Sequence, residues 1–219
     1  MSLWESVGDT YVEAAAALLP LHRALSFAVG FVVSFIALDH DYKSVTESLL
    51  HLPLDQFATL KEGLFADAVV ANLVAGIAAV IAGWLLSRLT LRGMFAVVAR
   101  ATDYEKRVQE AYSTSAATGV STVGERKEAL EFVESILASP QTGLRRLTAL
   151  AELASALAVT LLAASYWGNL VDIVCGIAAL AISSTFHFLA IRLFLADFLG
   201  PAILKATLLG KPVPPNLPH

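Results

Sequence analysis

Four stretches of the sequence, residues 24–38, 68–87, 153–171 and 173–191, are apolar and carry no charge. A helix rises ~1.5 Å per residue, so about 20 such residues match the ~30 Å hydrocarbon layer of a bilayer. The last three stretches hold 19 or 20 residues each. The first holds 15, but Leu18, Leu19 and Leu21 extend it, and Arg23 can snorkel its guanidinium back to the interface. These lengths predict an all-α integral membrane protein with four transmembrane helices, at 22–39, 67–88, 147–167 and 171–192.

The composition fits that reading. Only 16% of residues are charged, against ~25% in a soluble domain, and the mean hydropathy is +0.68. With 219 residues, well over a third of them in spans, the chain reads as a single membrane domain over 1–219. A net charge of −4 gives no basic surplus, so direct nucleic-acid binding is not expected. Cys175 is the single cysteine, which excludes an internal disulfide and a cysteine-based zinc cluster. The first residues carry acids where a cleavable signal would carry Lys or Arg, so no signal peptide is expected.

Lys and Arg mark the cytoplasmic side of short loops. Of 15 in the chain, nine fall in 88–147 and only Lys43 and Lys61 fall in 39–67. Arg23, Arg192, Lys205 and Lys211 flank the outermost spans. Both termini and the central segment are therefore predicted to be cytoplasmic, in a cell inner (plasma) membrane.

Outside the spans, residues 1–20 read as an interfacial amphipathic helix ended by Pro20. The outer loop, 40–66, opens with Ser44 and Glu47 in capping-box spacing and predicts two short helices over the span ends. Segment 89–146 predicts a cytoplasmic helical hairpin. Its first arm continues span 2, a Ser/Thr/Gly-rich linker follows at 113–124, and its second arm starts at Thr122/Glu125 and stops at Ser139–Pro140. Such a hairpin is too small to bury a core alone. Residues 205–219, rich in proline, predict a disordered tail.

In lipid, helices associate through small residues and hydrogen bonds. Candidate packing stripes are Ser26, Gly30 and Ser34 on span 1, and Ala71, Ala75, Ala79 and Gly83, with Gly76 beside them, on span 2. On span 4, Asp172, Gly176, Ala179, Ser183 and His187 share one face. Glu152 and His187 are the ionisable residues most clearly inside the spans. Their depths from the inner ends, ~9 Å and ~7.5 Å, predict an intramembrane pair that fixes helix register or relays a proton. The cations Arg100, Lys106, Arg107, Arg126 and Lys127 are the candidate partner-binding residues of the hairpin.

No phosphate loop, nucleophile elbow or zinc-protease helix is present in the sequence, and no cofactor or metal is implied. The expected role is non-enzymatic: a homo-oligomeric membrane sensor or anchor that engages a cytoplasmic protein. Architectural analogy with small four-span subunits of bacterial defence or stress systems points the same way. The rival expectations are an ion channel or proton-coupled transporter using Glu152 and His187, and an integral-membrane enzyme or a haem carrier between His22 and His187.

Overall fold

The computed structural model describes residues 21–37, 44–51, 70–101, 106, 108–110, 113, 123–165 and 169–209. The elements are α1 (Leu21–Ala37), α2 (Val45–His51), α3 (Val70–Ala101), α4 (Val123–Ala164), α5 (Leu170–Leu193), a π-helical turn (Phe194–Phe198) and α6 (Leu199–Leu208). Among the described residues there is no strand. Three helical stretches, built on α3, α4 and α5, are long and apolar enough to cross a membrane. The chain is a membrane-type helical protein. The fourth apolar helix, α1, has 17 residues, ~26 Å of rise. The predicted N-terminal helix, the 114–122 part of the linker, residues 52–69 of the outer loop and residues 210–219 of the tail lie outside the described residues.

One boundary is corrected. Ser139–Pro140 does not stop the second hairpin arm: α4 runs through Pro140 for 42 residues into the third apolar stretch. Proline removes one hydrogen bond and crowds the preceding turn. The apolar periodicity on both sides outweighs that local cost. Leu137 and Leu144, one turn before and one turn after the proline, are both buried, and Thr142 Oγ1 donates to the Ala138 carbonyl at 2.9 Å. The proline in the last segment acts differently. Pro201 falls in the first turn of α6, where no N–H is needed, but its ring opposes the carbonyl four residues back. The turn that holds this carbonyl, Phe194–Phe198, is π-wound, and the Leu199 N–H reaches back five residues to Phe194 O.

The chain divides into two compact units. The first unit comprises Leu19–Leu91 and Ala149–Phe186. In this bundle α1/α3 and α4/α5 run antiparallel, while α1 and α4 run parallel, Arg23 meeting Glu152 at one end and Val33 and Ile36 sharing a cluster with Leu161 and Ala164 at the other. Asn72 Nδ2 donates to Ser34 Oγ at 3.1 Å, while Gly30 packs on Ala79, Ala75 and Gly76, so α1 and α3 are opposed in direction. Gly176 packs on Leu162 and Ala158, and Ser183 on Ser155, which opposes α4 and α5. The buried row of α3 is Asn72, Gly76, Ala79, Gly83 and Ser87. Of the predicted stripe, Ala79 and Gly83 lie in that row, Ala75 is half-buried and Ala71 is exposed. Steps of four drift ~40° each around a helix, whereas mixing steps of three and four holds one face.

Gly30 and Gly83 are places where only glycine fits. A Cβ on Gly30 would collide with the Ala79 methyl and come within 2.9 Å of the Ala75 carbonyl. One on Gly83 would lie 2.6 Å from Ala156 Cβ and 2.9 Å from its backbone nitrogen. The seam of α3 is therefore small and polar, while Val33, Ile36, Val45, Leu161 and Ala164 form an apolar cluster elsewhere in the unit. Many large side chains face away: Val74, Ile77, Ile81 and Leu85 on α3, Leu150 and Leu162 on α4, and Val174, Ile177 and Ile182 on α5 are all exposed. Soluble domains place such residues inside.

The second unit comprises Met1–Leu18, Arg92–Thr148 and His187–His219. Its core is conventional. Val108, Leu144, Ala190, Phe194, Leu199 and Ile203 are buried together, and Phe95 and Phe194 meet edge to face with centroids 6.0 Å apart. A second cluster joins Val133 and Leu137 to Leu208. This cluster explains why residues 205–208, assigned to the tail by their nearness to the prolines, are helical. Lys205 Nζ pairs with Glu134 at 2.7 Å, and Arg126 Nε donates to the Leu208 carbonyl at 2.6 Å.

Candidate functional site: buried polar groups of the bundle

Two polar centres mark the two ends of the first unit. The first is built on Asp172. Asn169 starts α5 as an N-cap, its side-chain oxygen accepting the Val171 N–H at 2.8 Å. This places Asp172 in the first turn, fully buried and aimed at the start of α2. Its Oδ1 accepts from Ser44 Oγ (2.9 Å), Thr46 N (3.0 Å) and Thr46 Oγ1 (2.8 Å), and its Oδ2 accepts from Val45 N (3.0 Å). Ser44 Oγ in turn accepts the Glu47 N–H at 3.2 Å, the serine half of the expected capping box. One carboxylate thus satisfies backbone donors at the start of a short helix, which carries the positive end of its dipole. Sequence reading assigned Asp172 only to its own helix. The signal that it binds another element was the Ser-Val-Thr run at 44–46, rich in short hydroxyls.

The second centre is Glu152 with Arg23 and His22 from α1. Arg23 Nε donates to Glu152 Oε1 at 3.3 Å, and His22 Nε2 lies 3.6 Å from Oε2. The Glu152 side chain is 13% exposed and that of Arg23 is 32% exposed. Arg23, expected to snorkel alone, is therefore tied back to the bundle. The register of α4 against α5 puts Glu152 level with Phe186. From Asp172 to that level is 14 residues, or ~21 Å of helix.

One turn further into the bundle, the Ser155 and Ser183 hydroxyls bond at 2.8 Å, and Ser183 also donates to the Ala151 carbonyl at 2.9 Å. Ser155, three residues after Glu152, shares its helix face and was not singled out from the sequence. Ser26 is buried and back-bonds to the His22 carbonyl at 2.9 Å. Gly30 and Gly176 are buried as well.

His187 belongs to the second unit and is fully buried. In the same unit Arg100 and Lys106 are exposed, and Lys127 lies 4.0 Å from Glu131 on its own helix. Arg126 has the structural bond to α6 already described, and Arg107 lies outside the described residues.

Hydrogen-bonded hydroxyls and paired charges at these spacings hold helices in register; they can also carry a proton one step. Comparison with family models, curated proteins and solved structures finds no match to this chain.

Proposed function

We propose that the protein is a non-enzymatic, four-span inner-membrane protein with both termini cytoplasmic, acting as a homo-oligomeric sensor or anchor for a cytoplasmic protein partner. The observation that carries the membrane part is the distribution along α3: Asn72, Gly76, Ala79, Gly83 and Ser87 are buried, whereas Val74, Ile77, Ile81 and Leu85 are exposed. Lipid, not water, suits that exterior. The 17-residue α1 is within the range that spans a thin or locally thinned bilayer.

The anchor part is supported by the second unit. It has its own apolar core, and it leaves Phe132 and Ile136 exposed one turn apart on α4, beside Glu128, Glu131 and Lys127. An apolar pair inside a charged rim resembles the core-and-rim composition of protein interfaces. Photocrosslinking from position 132 in native membranes tests this reading, together with reporter fusions at residue 115 and in the 52–69 loop. The expected results are a discrete adduct, either of two copies or with one other protein, and a cytoplasmic signal from position 115 only. A reporter at 115 active outside the cell would refute the topology.

Glu152, shielded and held by Arg23 and His22 with Ser155–Ser183 beyond it, favours a second reading as a proton-coupled transporter. The glycine-mediated helix contacts weigh against a wide pore within one chain. Proton-driven flux in liposomes, lost in Glu152→Gln, would favour the transporter over the anchor.

A further inference from the structure

Among its described residues, the second unit carries four cations with no carboxylate partner at one level. Phe95 of α3 shares the buried cluster with Leu144 of α4 and Phe194, which follows α5, and Gly143 of α4 abuts Leu193 of α5. At ~1.5 Å per residue these contacts bring Arg92, Arg145, Arg146 and Arg192 to within about one turn of each other along the helix axes. Arg92, Arg146 and Arg192 are exposed and Arg145 is half-buried. None of the four pairs with a carboxylate among the described residues, and the buried Arg145 Nε has no hydrogen-bond partner there. The next described acid, Asp197, is five residues beyond Arg192 and exposed. One turn before Arg192, and on its face, the apolar side chains Phe188 and Leu189 are 50% and 39% exposed. An apolar surface that ends in a belt of guanidinium groups matches an amphiphile with an acyl chain and a phosphate.

We propose that Arg92, Arg145, Arg146 and Arg192 bind the phosphate of an anionic phospholipid headgroup, with its acyl chains along Phe188 and Leu189. Guanidinium offers a planar pair of donors to phosphate, and the half-buried Arg145 is the fixed member of the belt. A headgroup supplies the acceptor that Arg145 Nε lacks within the described residues, so it is held more firmly than by diffuse attraction to the membrane surface. The proposal rests on the reading that this chain sits in a bilayer, and carbonate extraction of membranes tests that reading separately.

The test uses the full chain, delipidated in mild detergent. Native mass spectrometry and thermal unfolding are followed with added phosphatidylglycerol, phosphatidylcholine or inorganic phosphate. The expected result is selective retention of phosphatidylglycerol and a rise in melting temperature with that lipid alone. Loss of one charge-assisted contact in Arg145→Gln weakens retention by about tenfold or more. If that variant does not fold, the double variant Arg146→Gln/Arg192→Gln, altered only at exposed positions, must show the loss. Equal retention of the two lipids, undiminished binding in these variants, or equal protection by inorganic phosphate would overturn the proposal. Release of the protein by carbonate would instead remove the membrane reading beneath it.

Discussion

Replacing Gly83 with alanine tests whether the bundle is held by backbone contact. The added Cβ would stand 2.6 Å from Ala156 Cβ, 2.8 Å from its Cα and 2.9 Å from its nitrogen, whereas ordinary contact begins at 3.4 Å. No side-chain rotation relieves the clash, because the opposing atoms belong to the α4 backbone and its first carbon. The two helices must therefore move apart by close to 1 Å. A gap of that size forfeits roughly a quarter to a half of the dispersion energy of neighbouring atom pairs. Overpacking of this kind costs ~1–3 kcal/mol, offset by the ~0.5–1 kcal/mol that alanine contributes over glycine in a helix. The net loss is ~1–2 kcal/mol. Gly93 is the control, since a Cβ there meets nothing within 4 Å, and its alanine variant gains the full propensity term. Reversible unfolding in one detergent, followed for both variants, reads the difference. If Gly83→Ala is as stable as Gly93→Ala, the close approach of α3 and α4 is not what holds the bundle.

Gly176→Ala should be milder than Gly83→Ala, because its Cβ meets side-chain atoms of Leu162, Cγ at 2.8 Å and Cδ2 at 2.9 Å, and the nearest backbone atom stands at 3.4 Å; the same unfolding series ranks the two. Asp172→Ala leaves the buried Val45 N–H and Ser44 hydroxyl without their acceptor, at ~2–4 kcal/mol for the two groups. Hydrogen exchange at the amides of 45–47 should accelerate sharply, and unchanged protection there would refute the clamp. Glu152→Gln is expected to cost ~1–2 kcal/mol by leaving Arg23 without a counter-charge, less than for a fully buried pair because Arg23 is partly solvated. A double-mutant cycle with Arg23→Gln should recover part of that loss; strict additivity would mean that the pair contributes nothing. Lys205→Ala together with Arg126→Ala should fray α6 and speed proteolysis near Leu208, where both side chains fasten its end.

Much of the membrane architecture was legible because one quantity, the length of uncharged apolar sequence, decides it. The residues that face inward were legible in part. Small residues at three- and four-residue spacing singled out Gly30, Ala79, Gly83 and Gly176, all of them buried, since a helix has one period and a lipid-facing side chain gains nothing from being small. The inclusion of Ala71, which is exposed, came from stepping strictly by four, a rule that rotates off the face within three turns. Pro140 was misread because its local cost is visible in sequence, whereas the burial of Val133, Leu137 and Leu144 that outweighs it depends on α5 and α6.

The polar centres were harder still. A carboxylate states that it needs donors but not where they come from. For Asp172 the donors are more than 120 residues away in sequence, on an element of seven residues with no periodicity of its own. For Glu152 the choice among Arg23, Arg145, Arg146 and His187 turns on helix rotation, which depth alone does not fix. Depth needs only the rise per residue; rotation needs the packing faces of both helices. Those faces are set here by the glycines that let α1, α3 and α4 approach closely. The same positions that decide stability thus decide which charges meet. It follows that Gly30→Ala, by shifting α1, should weaken the Arg23–Glu152 coupling measured in the double-mutant cycle, although Gly30 touches neither residue. A coupling unchanged in that background would separate the packing of the helices from the pairing of their charges.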